Sequence, residues 1–267
     1  MNNIVSDSVR VGDTDMYYVA AGTGDRNLVV LPGLSDGIVT VKGKGMLLMH
    51  PYKPFFEQFR VYMFSRKNDM PREGYTIKDM ADDQALAMQA LGIEKACVLG
   101  VSQGGMVAQY VAINHPEVVD KLILAVTAPY ANSTVTSAVT TWIDIARHND
   151  YKSLMIDTAE KMYTEEYLSK NRRTFPIVAK LTKPKSYERF YVNANAILDF
   201  DARSELNKIS CPTLIIAGDN DNTVGNDAPQ ELSAGIADSQ VYIYHGYGHG
   251  IHEECKDFYE RVYEFCK

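Results

Sequence analysis

The sequence predicts an α/β protein: a mostly parallel, doubly wound sheet with an inserted helical block. Three observations carry that expectation. Short apolar runs recur along the chain, at Leu28-Val29-Val30-Leu31, Ala96 to Leu99, Lys121 to Val126 and Thr213 to Ala217. Continuous apolar runs this brief fit strands covered on both faces, as parallel strands are. Segments of helical spacing alternate with them, and strand–helix–strand alternation marks right-handed parallel crossovers. The alternation then stops from about Pro129 to Lys208, where only helical patterns occur, and resumes afterwards.

Taken in order, Val5 to Val11 and Met16 to Ala20 are β-rich runs punctuated by Thr14-Asp15 and Gly22-Thr23-Gly24, which predicts a hairpin. The strand at Leu28 ends at Pro32-Gly33, and Arg60 to Phe64 supplies another. Thr76 to Leu91 places Ile77, Met80, Ala81, Ala85, Met88 and Leu91 near helical spacing, with Thr76 to cap it and Gly92 to end it. Gln103 to His115 is a second helix, stopped by Pro116. The middle block predicts helices at Thr136 to Asn149, Tyr151 to Tyr163, Glu165 to Phe175 and Ser186 to Phe200, with Lys180 to Lys185 as a polar linker. A helix at Ala228 to Ile236, a strand at Gln240 to Tyr244 and one amphipathic helix from His252 to Cys266 follow. The expected organisation is a core of residues 1–128 and 209–267 with a helical cap inserted at 129–208.

Bulk properties exclude several function classes. With 46% hydrophobic and 23% charged residues over 267 positions, a sizeable core is expected and disorder is not. The net charge of −7 argues against nucleic acid, which needs a basic face, and against an anionic membrane surface. Met1 to Thr14 is polar and lacks a signal peptide's apolar stretch, and no apolar run is long enough to span a bilayer. Cys97, Cys211, Cys255 and Cys266 form no C-x-x-C pair, so free thiols in a reducing, cytoplasmic setting are expected. Oligomeric state is not legible.

The strongest chemical signal is Gly100-Val101-Ser102-Gln103-Gly104, which follows a predicted strand and opens a predicted helix. A turn this tight forces the serine into a strained backbone, and glycines let neighbouring backbone pass closely. Ser102 then projects at a helix N-terminus, where partial positive charge favours a developing anion. A nucleophilic serine needs a base, and the base needs an orienting carboxylate. Asp219-Asn220-Asp221 lies just past the strand Thr213 to Ala217, and Gly248-His249 follows the strand at Gln240 to Tyr244. Loops at the carboxyl ends of such strands converge on one crevice, so the order Ser, Asp, His brings all three together. Either Asp219 or Asp221 fits the acid on this reasoning.

Ordinary readings compete. Ser102 would serve as a plain helix cap but for the flanking glycines, and acidic residues are common in turns. His245, His249 and His252 have residue types that suit a metal, but not the helical H-x-x-x-H with a nearby Glu that catalytic zinc sites show. Asp219-Asn220-Asp221 resembles the start of a calcium loop. That loop fails where it would need Asp or Asn, Gly and Glu, at Thr223, Val224 and Gln230. Most cap aromatics (Trp142, Tyr151, Tyr163, Tyr167, Tyr187, Phe190 and Tyr191) fit a small core of their own, with one or two facing a pocket.

Over nearly its whole length the chain resembles the capped α/β-hydrolase superfamily, in its esterase-like branch. The matching pieces are Leu31-Pro32-Gly33, the Gly100 to Gly104 elbow, Cys211 to Gly218, and Gly248-His249 before an acidic helix. The resemblance implies Ser102 as nucleophile, His249 as base and, by its G-x-x-D pattern, Asp221 as the acid. It also implies that the backbone N–H groups of Leu34 and Gln103 form an oxyanion hole, and that a small acyl substrate is cleaved with neither cofactor nor metal. Two departures stand out: Pro32 occupies a place where many relatives have histidine, and Ser65-Arg66-Lys67-Asn68-Asp69 replaces the family's D-x-x-G-x-G-x-S run. The same triad serves esters, amides, lactones, carbon–carbon bonds, acyl transfer and perhydrolysis. A receptor-like binding module is the rival from another class.

Overall fold

The computed structural model describes residues 4–267; Met1 to Asn3 lie outside it. Eight strands form one sheet in the order β1-β2-β4-β3-β5-β6-β7-β8. They are β1 (Val5–Val11), β2 (Thr14–Ala21), β3 (Arg26–Leu31), β4 (Phe59–Lys67), β5 (Ala96–Val101), β6 (Val119–Ala125), β7 (Thr213–Gly218) and β8 (Ser239–Tyr244). β1 pairs antiparallel with β2, and β2 antiparallel with β4; every later pairing is parallel. The expected doubly wound, mostly parallel sheet is therefore present.

Side chains alternate across the sheet, as a period of two requires. Val29 and Leu31 of β3 face one apolar layer, while Leu28 and Val30 face the other. The first layer is closed by α2 (Ile77–Ala90) and α3 (Gln103–Asn114), through Met80, Met88, Met106 and Val107. The second is closed by Phe55 and Phe59 together with Phe258 and Val262 near the C-terminus. Thr76 caps α2 in a reciprocal capping box with Asp79.

Strand order places the crevice. After β3 the chain crosses to β4 on one side and then to β5 on the other. The loops leaving β3 and β5 diverge at that switch point, and the gap between them opens at the strands' carboxyl ends.

Between β6 and β7 run only helices: α4 (Ser133–Arg147), α5 (Tyr151–Met162), α6 (Glu165–Asn171), α7 (Phe175–Thr182) and α8 (Glu188–Leu198). Before them comes the short α1 (Gly45–Leu48), and after them α9 (Ala228–Gly235), α10 (Ile251–Glu254) and α11 (Phe258–Cys266). Two expectations need correction. The stretch ending in the proposed linker contains α7, because Pro176 sits in its first turn, where a missing N–H costs nothing. The final helix is two, broken at Cys255 in an extended conformation. Ile251, Cys255, Phe258, Val262 and Cys266 keep helical spacing across the break, so the sequence pattern hides it.

Candidate active site

Ser102 stands between β5 and α3 with φ 55° and ψ −121°, a left-handed conformation that a serine rarely adopts. Its strain is held by neighbours. The Ser102 N–H donates to Ala125 O at 2.9 Å, and Ser102 O accepts from Gly105 N at 2.8 Å. A Cβ on Gly104 would lie 1.9 Å from Leu31 O, so only glycine lets α3 approach β3 this closely. A Cβ on Gly33 would lie 3.2 Å from Ser102 Cβ and 3.7 Å from its Oγ. The Pro32-Gly33-Leu34 loop thus abuts the serine.

Asp221 and His249 come together from the loops after β7 and β8. Nδ1 of His249 lies 2.8 Å from Asp221 Oδ2, and both side chains are buried. The other carboxylate oxygen accepts from the N–H groups of Thr223 at 2.8 Å and Val224 at 2.9 Å. Asn226 Oδ1 fixes the Asp221 N–H at 2.9 Å. The carboxylate is therefore aimed by its own loop, and an Nδ1–H that donates to it leaves the histidine Nε2 as the acceptor nitrogen. The two loops are tied by Asn220 N to Tyr247 O at 2.9 Å, and the end of α5 reaches them through Gly250 N to Met162 O at 2.8 Å.

Among the described residues, neither the Leu34 nor the Gln103 backbone N–H donates to a protein acceptor. Behind them lies a buried polar cluster that the sequence did not reveal. Arg66, at the end of β4, is 1% exposed. Its Nη2 donates to Pro32 O at 2.8 Å and to Gln103 Oε1 at 3.4 Å, bridging the two segments that carry those N–H groups. Gln103 Nε2 in turn donates to Asn193 O of α8 at 2.7 Å. Asp36 Oδ2 accepts from Arg66 N at 2.9 Å and from Arg189 Nη2 at 2.7 Å. Arg189 also donates to Asp36 O, Lys67 O and Arg66 O, latching α8 to the rim of the sheet. Burial pulls the Arg66 guanidinium below its usual value, offset in part by Asp36.

The rival histidines go elsewhere. His245 pairs with Asp219 at 2.9 Å, and that imidazole is 84% exposed. His252 lies 3.6 Å from Glu253. The three imidazoles of the metal reading thus face three different carboxylates. A groove of about 560 Å³ lined by Lys121, Leu214, Gln240 and Arg261 lies near the amino ends of β6 to β8, across the sheet from Ser102. Cys97, Cys211, Cys255 and Cys266 are free, and no helix among the described residues is long and apolar enough to cross a membrane.

Known proteins resemble this chain in sequence and fold. The family described as "alpha/beta hydrolase fold" matches residues 53–255. The AB hydrolase superfamily protein YisY of Bacillus subtilis (strain 168) is 30% identical over 200 residues, covering 72% of this chain and 73% of its own. An α/β-hydrolase enzyme from a Medee basin deep-sea metagenome library superposes with a TM-score of 0.86 at 18% identity, covering 97% of this chain and 96% of its own. The enol-lactonase of Burkholderia xenovorans LB400 superposes with a TM-score of 0.80 at 22% identity, covering 97% and 99%. With its sheet order, its strained serine between β5 and α3 and a matching profile over most of its length, the chain belongs to the α/β-hydrolase family.

Proposed function

We propose that this hydrolase is a serine esterase-like enzyme that cleaves a small, fairly apolar carboxylic ester or related acyl compound through an acyl-enzyme. The observations that support the reading are the buried His249–Asp221 pair after β7 and β8 and a serine held at φ 55° between β5 and α3. In this reading Ser102 Oγ attacks the carbonyl carbon and His249 Nε2 takes its proton. Asp221 holds the imidazole in the required tautomer and stabilises the imidazolium. The N–H groups of Leu34 and Gln103 stabilise the oxyanion, each contributing about 3 kcal/mol at the transition state. His249 then protonates the leaving oxygen, and water, activated by the same imidazole, releases the acid and restores Ser102.

An activated ester such as p-nitrophenyl acetate tests the reading without knowledge of the natural substrate. Turnover is expected, with loss in Ser102→Ala. A folded protein without turnover on short-chain activated esters would favour a binding module on the same scaffold. Turnover that persists in Ser102→Ala would remove the serine from the mechanism.

A further inference from the structure

We propose that the outer face of α7 and its flanks is a docking surface for an anionic lipid membrane. Charge is segregated here. Residues 167–187 contain Lys170, Arg172, Arg173, Lys180, Lys183 and Lys185 and not one carboxylate, in a chain whose net charge is −7. Lys170 and Arg172 are neutralised by Glu166, Glu160 and Glu165. Among the described residues, Arg173, Lys180, Lys183 and Lys185 have no carboxylate at ion-pair distance, and all four are exposed. The whole-chain charge argues against such a surface, but a membrane senses only the face within a Debye length.

The same face is apolar where a globular surface is normally polar. Ile177 is 63% exposed, Val178 41% and Leu181 80%. Spaced at i, i+1 and i+4, they form one ridge of α7, while Ala179 is buried where α7 packs on α5. Aliphatic side chains on one face with cations alongside are the composition of an interfacial helix: the ridge enters the acyl boundary and the lysines meet the headgroups. Side chains this exposed stand off the helix, Leu181 at 80%, where a soft planar phase accommodates them, whereas an acidic peptide recognised by its side chains needs a groove. Docking does not depend on the catalytic assignment of Ser102.

Co-sedimentation of the full chain with vesicles tests it. One set contains equal parts phosphatidylglycerol and phosphatidylcholine, the other phosphatidylcholine alone. The protein is expected to bind the anionic vesicles, to release at high salt, and to bind the neutral ones weakly. Lys180→Glu with Lys183→Glu and Lys185→Glu should cut anionic binding by at least about tenfold. Ile177→Ser with Leu181→Ser should cut it as well, with ester turnover and thermal unfolding unchanged. Met46→Ser with Leu47→Ser, at a second exposed apolar pair, should leave it intact. Absence of binding, equal binding to both vesicle types, or loss only in the Met46 and Leu47 variant would overturn the proposal. So would a concentration-dependent dimer that the α7 variants dissolve, since the face would then meet a second copy of the chain.

Discussion

Asp221 Oδ2 and His249 Nδ1 stand 2.8 Å apart with both side chains buried, whereas the neighbouring pair His245 and Asp219, at 2.9 Å, lies on the surface. Two pairs of the same chemistry, two residues apart in one loop and four in the other, therefore have different prospects. Water screens the exposed pair, so it contributes little to any reaction. In the buried pair the carboxylate is fixed by two backbone N–H groups and dictates which imidazole nitrogen carries the proton.

The contrast makes a direct prediction. Asp221→Asn offers His249 an amide that can invert the tautomer, and kcat should fall by about ten-thousandfold, as loss of the orienting acid does in other triads. Asp219→Asn should leave kcat within about twofold, an exposed pair being worth little. Steady-state hydrolysis of an activated ester by both variants checks this. A larger loss in Asp219→Asn would reassign the acid.

The Arg66 bridge predicts a different kinetic signature. Its guanidinium holds the Pro32 and Gln103 segments in register, which in the proposed mechanism makes Arg66 a positioning residue. Arg66→Met should lower kcat by about a hundredfold with KM little changed, because misplacing donors weakens binding of the transition state more than of the ground state. Arg66→Lys should recover part of it through a single donor. Thermal unfolding separates misfolding from misplacement, and a rise in KM at unchanged kcat would place Arg66 in substrate binding instead.

His252 predicts a pH dependence of stability. Burial, chiefly, and the nearby His249 lower its pKa from the ordinary 6.5, with Glu253 opposing. An unfolded chain takes up the proton near pH 6.5 while the folded protein resists it. The contribution is therefore fully present above that pH and is lost as pH falls below it. In His252→Gln the thermal midpoint should decline less steeply below that value than in the parent. Parallel declines in the two proteins would show that other groups carry the acid sensitivity.

Much of this was legible in the sequence because the signals are local. Gly100 to Gly104 specifies a tight strand-to-helix turn within five residues, and Asp221 and His249 each sit a few residues past an apolar strand. Once parallel strands are inferred, their carboxyl-end loops must meet. The Arg66, Asp36, Arg189 and Asn193 cluster was not legible, since it joins segments up to 157 residues apart and charged residues read as solvated by default. The one hint was negative: Ser65-Arg66-Lys67 departs from the family's run where the bridge forms. α7 was hidden by Pro176, which reads as a breaker unless its place in the first turn is known.

If His249 activates Ser102 and the Leu34 and Gln103 N–H groups receive the oxyanion, the serine will react with a tetrahedral-forming electrophile. Covalent labelling by a fluorophosphonate measures that most directly, since the adduct needs an activated oxygen and leaves a tetrahedral, oxygen-rich phosphorus that the Leu34 and Gln103 N–H groups would hold. Intact-mass and peptide mass spectrometry of the treated protein should find one label, on Ser102. It should be absent in Ser102→Ala and strongly slowed in His249→Ala. A folded protein that takes up no label, or carries it on another residue, would contradict the account.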